Sequence, residues 1–279
     1  MTSLFVERLT IVDFSYLDGA RGLLGESWLV DVTLEGDLDG QGMIFDFGLV
    51  KKLIKQWADA HIDHKLVVPA ASDRTSWRGG QVSGNVAFHA DCGLIEHWGP
   101  ENSVCAVPAS YVDVDVIGDW MAAQIKPMLP ASVRRVSITL RPEAIEHEPH
   151  YQYSHGLQRH QGACQRIAHG HRSRIRVWLD GAPSEKWARH WAKRWRDIYL
   201  ATRGHVLQNL PQGRLLLGYR AADGEFKLAL PAERVYLLDT PSTVEWIAHH
   251  LASQTARATG ARVTVQAFEG IDKGAIAHA

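Results

Sequence analysis

The same order of local structure signals runs through this chain twice, and a repeat at half the chain length leaves few folds open. Residues 3–13 and 28–36 carry β-branched, alternating patterns around a turn-rich segment, which predicts an antiparallel pair. From Asp46 to Ala60 the apolar spacing becomes helical, with Phe47, Val50, Leu53, Ile54 and Trp57 on one face. A second helix is predicted near 111–127 and a strand over Val133–Leu140. Residues 70–107, with Gly79 and Gly80 and short apolar runs, read as an insertion between the two helices. Its His89, Asp91, Cys92 and His97 are too irregularly spaced for a metal site and read as a surface loop. The order then returns, with strands over Tyr151–Ser154 and Ser173–Asp180, helices over Ser184–Thr202 and Ser242–Ala258, and a strand over Ala261–Phe268. Trp187, Trp191 and Trp195, four residues apart, form a core stripe. The expected class is α+β, in two tandem units, 1–146 and 147–279. Each is an antiparallel four-stranded sheet with two helices on one face.

The 279 residues suffice for two cores. Thirty basic against 31 acidic residues give a net charge of −1, without the excess that a phosphate backbone demands, so nucleic acid is not an expected partner. No run reaches the roughly 20 apolar residues of a membrane span. Three cysteines and no leader pattern point to the cytoplasm.

Chemistry concentrates between His155 and His171. His169 and His171 alternate by two and so share one strand face, and His155 on the preceding strand supplies a third imidazole. Three nitrogen ligands with a fourth position open is the usual arrangement of a catalytic zinc, although imidazoles also accept iron, cobalt and nickel. Cys164, between them, is a fourth ligand that would close the site, an inert thiol, or a base. The first half carries a similar framework, Phe14 to Asp18 followed by Leu24, Gly25 and Glu26, without histidine or cysteine.

These residues resemble the 6-pyruvoyl-tetrahydropterin synthase and 6-carboxy-tetrahydropterin synthase enzymes of the tunnelling fold, or T-fold. His155, Cys164, His169 and His171 are similar to that family's zinc and cysteine motif. Pro241 to Ala248 is similar to the helix start holding its pterin-anchoring glutamate, here Glu245, and Met43 to Lys52 and Ile62 to Leu66 resemble its first helix and Asp-His motif. The resemblance implies two T-fold units, Zn2+ held by His155, His169 and His171, and Cys164 as the proton-moving group. It implies a pterin ring bound by Glu245, with Glu269 as a second glutamate after the last strand.

The departures from the motif are complementary. Gly204 and His205 stand where the second half should repeat Asp-His, Asp18, Leu24 and Glu26 stand where the first half should hold zinc, and Tyr111 or its neighbours replace the anchoring glutamate. In the family one subunit supplies the cysteine and its neighbour the Asp-His pair. Carried onto a tandem chain, this implies one composite site, completed by Asp63 and His64 as proton-exchanging partners of Cys164. The implied enzyme is a carbon–oxygen or carbon–carbon lyase acting on 7,8-dihydroneopterin triphosphate or a close relative, with cleavage to the 6-carboxy product, on the route to deazapurines, preferred over triphosphate elimination. The alternatives are a non-catalytic zinc-containing pterin or purine binder, and a structural zinc protein. Sheet edges imply a homo-oligomer that closes a ring of four or six T-fold units.

Overall fold

The computed structural model describes residues 2–79 and 81–279. The first half runs β1 (Thr2–Asp18), β2 (Gly22–Gly36), α1 (Phe47–His61), β3 (Leu66–Pro69), β4 (Thr75–Trp77), β5 (Val86–Ala90), β6 (Gly93–Trp98), β7 (Val104–Val107), α2 (Val114–Ile125) and β8 (Val133–Pro142). The second runs β9 (His150–His155), β10 (His169–Leu179), β11 (Ala182–Pro183), α3 (Glu185–Arg194), β12 (Ile198–Thr202), β13 (Val206–Leu210), β14 (Arg214–Ala221), β15 (Gly224–Pro231), β16 (Val235–Leu238), α4 (Val244–Thr259), β17 (Val263–Phe268) and β18 (Gly274–His278). The repeat is therefore more complete than the sequence suggests, because both halves carry five strands between the paired helices.

The two helices of the first half start where a side chain accepts from an orphan amide. Asp46 caps α1 through Leu49 N, Asp113 caps α2 through Val116 N, and α4 ends at Gly260 in the left-handed region. Val50, Ile54, Trp57 and Ala58 bury the inner face of α1. The predicted helix over 184–202 ends early. Trp191 and Trp195 do join the core of the second half, but the chain turns at Asp197 (φ 58°) and leaves as β12.

Neither main sheet is the expected four-stranded antiparallel one. The first has the order β7-β3-β1-β2-β8 and the second β16-β12-β9-β10-β17-β18, with β11 beside β10. In each, the strand after the first helix pairs parallel with the first strand of its half, and a further parallel strand lies outside it. A helix provides the crossover such pairs require.

Residues 70–107 are not a surface loop. With β13–β15 they build a third sheet, β13-β14-β15-β6-β5-β4, in which β15 and β6 join the halves through Lys227↔Trp98, Leu228↔His97 and Ala229↔Glu96. His97 is fully buried there, and burial holds its imidazole down to about 4. Glu96 is held by Arg78 from the first half and, at 2.8 Å, by Arg214 from the second. Beneath this sheet Leu17, Phe88, Ile167, Tyr199 and Phe226 pack into one core drawn from both halves.

The halves also meet hairpin to hairpin. Ser15 Oγ donates to Ser154 Oγ at 2.7 Å, and these serines pair with Gly25 and Gly170 in their own hairpins. A Cβ on Gly25 would lie 1.8 Å from the Tyr153 carbonyl oxygen, and one on Gly170 would lie 2.6 Å from Gly25 Cα. Only glycine permits the crossing. Equivalent residues touch each other here, so the contact is a local two-fold. It makes Tyr16, Leu24 and Glu26 the counterparts of His155, His169 and His171.

Candidate active site

His155 ends β9 directly opposite His169 at the start of β10, and His171 lies two residues further along the same face. All three are essentially fully buried, and their ligand atoms lie within 4.8 Å of one another. His155 and His169 each have one nitrogen hydrogen-bonded, while His171 meets a carboxylate without a hydrogen bond. His155 Nδ1 faces the Ser242 carbonyl at 2.9 Å, His169 Nδ1 faces the Arg166 carbonyl at 2.9 Å, and His171 Nδ1 faces Asp13 Oδ1 at 3.2 Å. That leaves the three Nε2 atoms, and His155 Nε2 is buried without a hydrogen-bond partner. Burial pushes His155 and His169 well below the ordinary imidazole range, so both are neutral near pH 7, the form in which imidazole binds metal. An orphaned Nε2 among three converging imidazoles fits a transition-metal ion.

Cys164 sits on a short turn (Ala163–Gln165) before β10. It groups with His64 and His169, whereas the three β9–β10 histidines form a separate set. This arrangement favours a thiol beside the metal position over a fourth ligand. Facing it, the first half delivers Asp63 and His64 from the turn after α1, within the same chain. Asp63 Oδ2 is 2.6 Å from His64 Nδ1, which directs the other ring nitrogen to Cys164. His64 has φ 54°, held by its N–H donating to the Asp13 carbonyl and by Arg166 donating to its own carbonyl. Burial alone would lower the His64 imidazole, but the hydrogen bonds of Asp63 and Cys164 outweigh it and raise it to about 10. His64 is thus cationic near neutral pH.

Asp13 had no signal in the sequence, being one carboxylate in an alternating strand. In the structure it links the halves. Its N–H donates to Asp63 Oδ1 at 2.8 Å, its carbonyl accepts from His64, and its carboxylate meets His171, Ser27 Oγ and, at 2.9 Å, Lys273 Nζ. Burial would raise this carboxyl, but His171, Lys273 and Ser27 together hold it well below the usual carboxylate range.

The two glutamates part company. Glu269 follows β17, half-buried, and its N–H donates to the carbonyl of Lys273, whose ammonium reaches Asp13. Glu245, in the first turn of α4, is exposed, and among the described residues no hydrogen bond or ion pair ties it to the histidines. Only Ser242 of that segment reaches them, through His155.

Three expected counterparts move. The first metal-ligand position of the first half is Tyr16, because Tyr16↔Leu24 matches His155↔His169, while Asp18 caps the hairpin turn through Ala20 N and Arg21 N. The Asp-His position of the second half is Arg196–Asp197, not Gly204–His205. Strand pairing matches Leu66 with Tyr199, and two residues earlier His64 and Asp197 share the left-handed conformation. By helix position Asp115, not Tyr111, matches Glu245.

A family model for 6-pyruvoyl tetrahydropterin synthase matches residues 15–146 and again 144–278. The chain is 26% identical over 127 residues to a putative 6-carboxy-5,6,7,8-tetrahydropterin synthase of Pyrococcus abyssi, covering 46% of this chain and 73% of that protein. It is 40% identical over 47 residues to the 6-carboxy-5,6,7,8-tetrahydropterin synthase of Rickettsia typhi, covering 16% and 34%. Among solved structures, the 6-pyruvoyl tetrahydropterin synthase of Plasmodium vivax is similar at 22% identity and a TM-score of 0.42, over 52% of this chain and 93% of that one.

Proposed function

Because the chain belongs to the 6-pyruvoyl tetrahydropterin synthase family, we propose that it is a zinc-dependent enzyme that cleaves the side chain of 7,8-dihydroneopterin triphosphate or a close relative to the 6-carboxy product. The observation that carries this reading is the meeting of Cys164 with His64 beside three converging imidazoles, since Cys164 comes from the same half as the histidines that would hold a metal and its proton-moving partner His64 comes from the other half. His155, His169 and His171 would hold Zn2+ through Nε2. When bound, it polarises the oxygens of the substrate's side chain.

The remaining steps belong to the chain. Asp63 orients the His64 ring and keeps it charged, so that His64 delivers a proton while Cys164 Sγ removes one from carbon. Asp13 orients His171 and, through its backbone, His64. Glu269 would accept hydrogen bonds from the ring N–H and exocyclic amine of a pterin. Glu245 would join it only on movement of the α4 start or from another copy of the chain. The preference for the 6-carboxy product draws support from the curated relatives, which bear that activity in their names. The outer strands β7, β8, β16 and β18 each end a sheet, which supports closure of a ring by further copies.

Mass spectrometry of the products formed from 7,8-dihydroneopterin triphosphate tests the reading. The 6-carboxy product supports it, the 6-pyruvoyl product moves the protein to the sister activity, and binding without turnover replaces the enzyme with a pterin binder.

A further inference from the structure

The local two-fold that builds the histidine site also builds a second centre, in which Tyr16, Leu24 and Glu26 stand for the three histidines, Gln152 for Asp13 and Asp197 for His64. It is an organised cluster. Gln152 Nε2 donates to Glu26 Oε2 at 2.9 Å, as Asp13 faces His171, and Arg21 donates to Asp197 and to Gln152 Oε1. The cation of this centre is a guanidinium. Above it lies an open cleft of about 610 Å³, floored by Arg21 and Gln152 and walled on the α3 side by Arg189, Lys193 and Arg196.

The charges of this cleft are unevenly satisfied. Its one lining carboxylate, Glu148, is gripped by both arms of Arg176, and Asp197 by Arg21. Arg189 pairs outward with Glu185, while Arg196 is 73% exposed and reaches Asp197 only at 3.9 Å. Lys193 is exposed and has no ion pair among the described residues. The whole chain is nearly neutral, so this is a local concentration of cations. Guanidinium and ammonium groups around a concave space of this size suit a ligand carrying several phosphate oxygens.

We propose that this metal-free counterpart is a second binding site, specific for a phosphate-bearing small anion, and that it is separate from the histidine site. Nothing in it depends on the activity proposed above. Inorganic triphosphate, titrated into the metal-loaded protein by calorimetry, is the probe. The expected result is binding that weakens at least tenfold in a Lys193→Glu/Arg196→Glu variant, whose side chains are both exposed and whose fold should survive, and that is unchanged in a Cys164→Ala variant. Absence of binding overturns the proposal. So does binding that survives the double substitution, or that is lost with Cys164→Ala, since either result places the anion elsewhere.

Discussion

Asp13 offers the most discriminating test of how the two halves share one centre. If its carboxylate orients His171, removing that carboxylate should weaken metal binding by the 10- to 100-fold typical of groups behind a metal ligand, or about 1.4 to 2.7 kcal/mol. The structure grades the effect. Asp13→Asn keeps an amide oxygen able to face His171 Nδ1 and Ser27 Oγ, and leaves the backbone bonds to Asp63 and His64 untouched, so only the charge is lost and the effect should fall near tenfold. Asp13→Ala removes the acceptor as well and should approach 100-fold. Loss of the Lys273 contact adds little, because Lys273 is half exposed. Competition for zinc against a fluorescent chelator gives the affinities, with circular dichroism reporting the fold. Refutation would be an Asp13→Ala protein that is folded and binds zinc as tightly as the parent.

Other consequences are equally accessible. Asp63→Asn should lower turnover at least about 100-fold, the contribution of a positioned acid or base, while zinc content measured by atomic emission stays unchanged; full turnover in this variant would remove Asp63–His64 from the mechanism. Burial raises the Glu26 carboxyl from 4.5 to about 7 against the smaller pull of Ser27 N–H, Arg172 and Arg21. The folded state thus keeps a proton that the unfolded chain releases, and stability should fall by about 3 kcal/mol as pH rises from 4.5 through 7. Glu26→Gln should flatten that slope in urea titrations, and an unchanged slope would assign it to other groups. Gly25→Ala sets a methyl against the Tyr153 carbonyl, backbone against backbone, and should cost more than about 3 kcal/mol in thermal unfolding; a melting temperature within two degrees of the parent would contradict the tight crossing.

What the sequence revealed follows from how far each signal reaches. The three histidines were legible as one cluster because residues two apart on a strand share a face and the third lies on the preceding strand, and Asp63–His64 through the resemblance of Ile62 to Leu66 to the family's Asp-His motif. Asp13 was not, since its partners His171 and Lys273 lie far along the chain and a lone strand aspartate looks like any solvent-facing residue. The third sheet was hidden for the same reason, its central pairing joining β6 to β15 across more than half a domain of sequence. Arg196–Asp197 was obscured differently. Trp195 continues the tryptophan stripe past the end of α3, and Asp197 takes the left-handed turn without a glycine, unlike Gly260 after α4.

The corrected counterparts sharpen the account of how the duplication diverged. About a two-fold, each centre takes its ligand face from one half and its Asp-His position from the other. The histidine site joins β9–β10 of the second half to Asp13, Asp63 and His64 of the first. The other centre joins Tyr16, Leu24 and Glu26 of the first half to Gln152, Arg196 and Asp197 of the second. Loss of imidazoles from the first half and loss of Asp-His from the second therefore damage the same centre, and neither change touches the histidine site. A chain with two equivalent centres can accumulate both sets of substitutions at no cost to the remaining one, provided the shared crossing at Gly25 and Gly170 is kept. The freed centre carries Tyr16, Leu24 and Glu26 in place of the ligand set, and beside them an Arg21–Asp197 pair whose carboxylate is buried and whose guanidinium, 36% exposed, also donates to Gln152 Oε1.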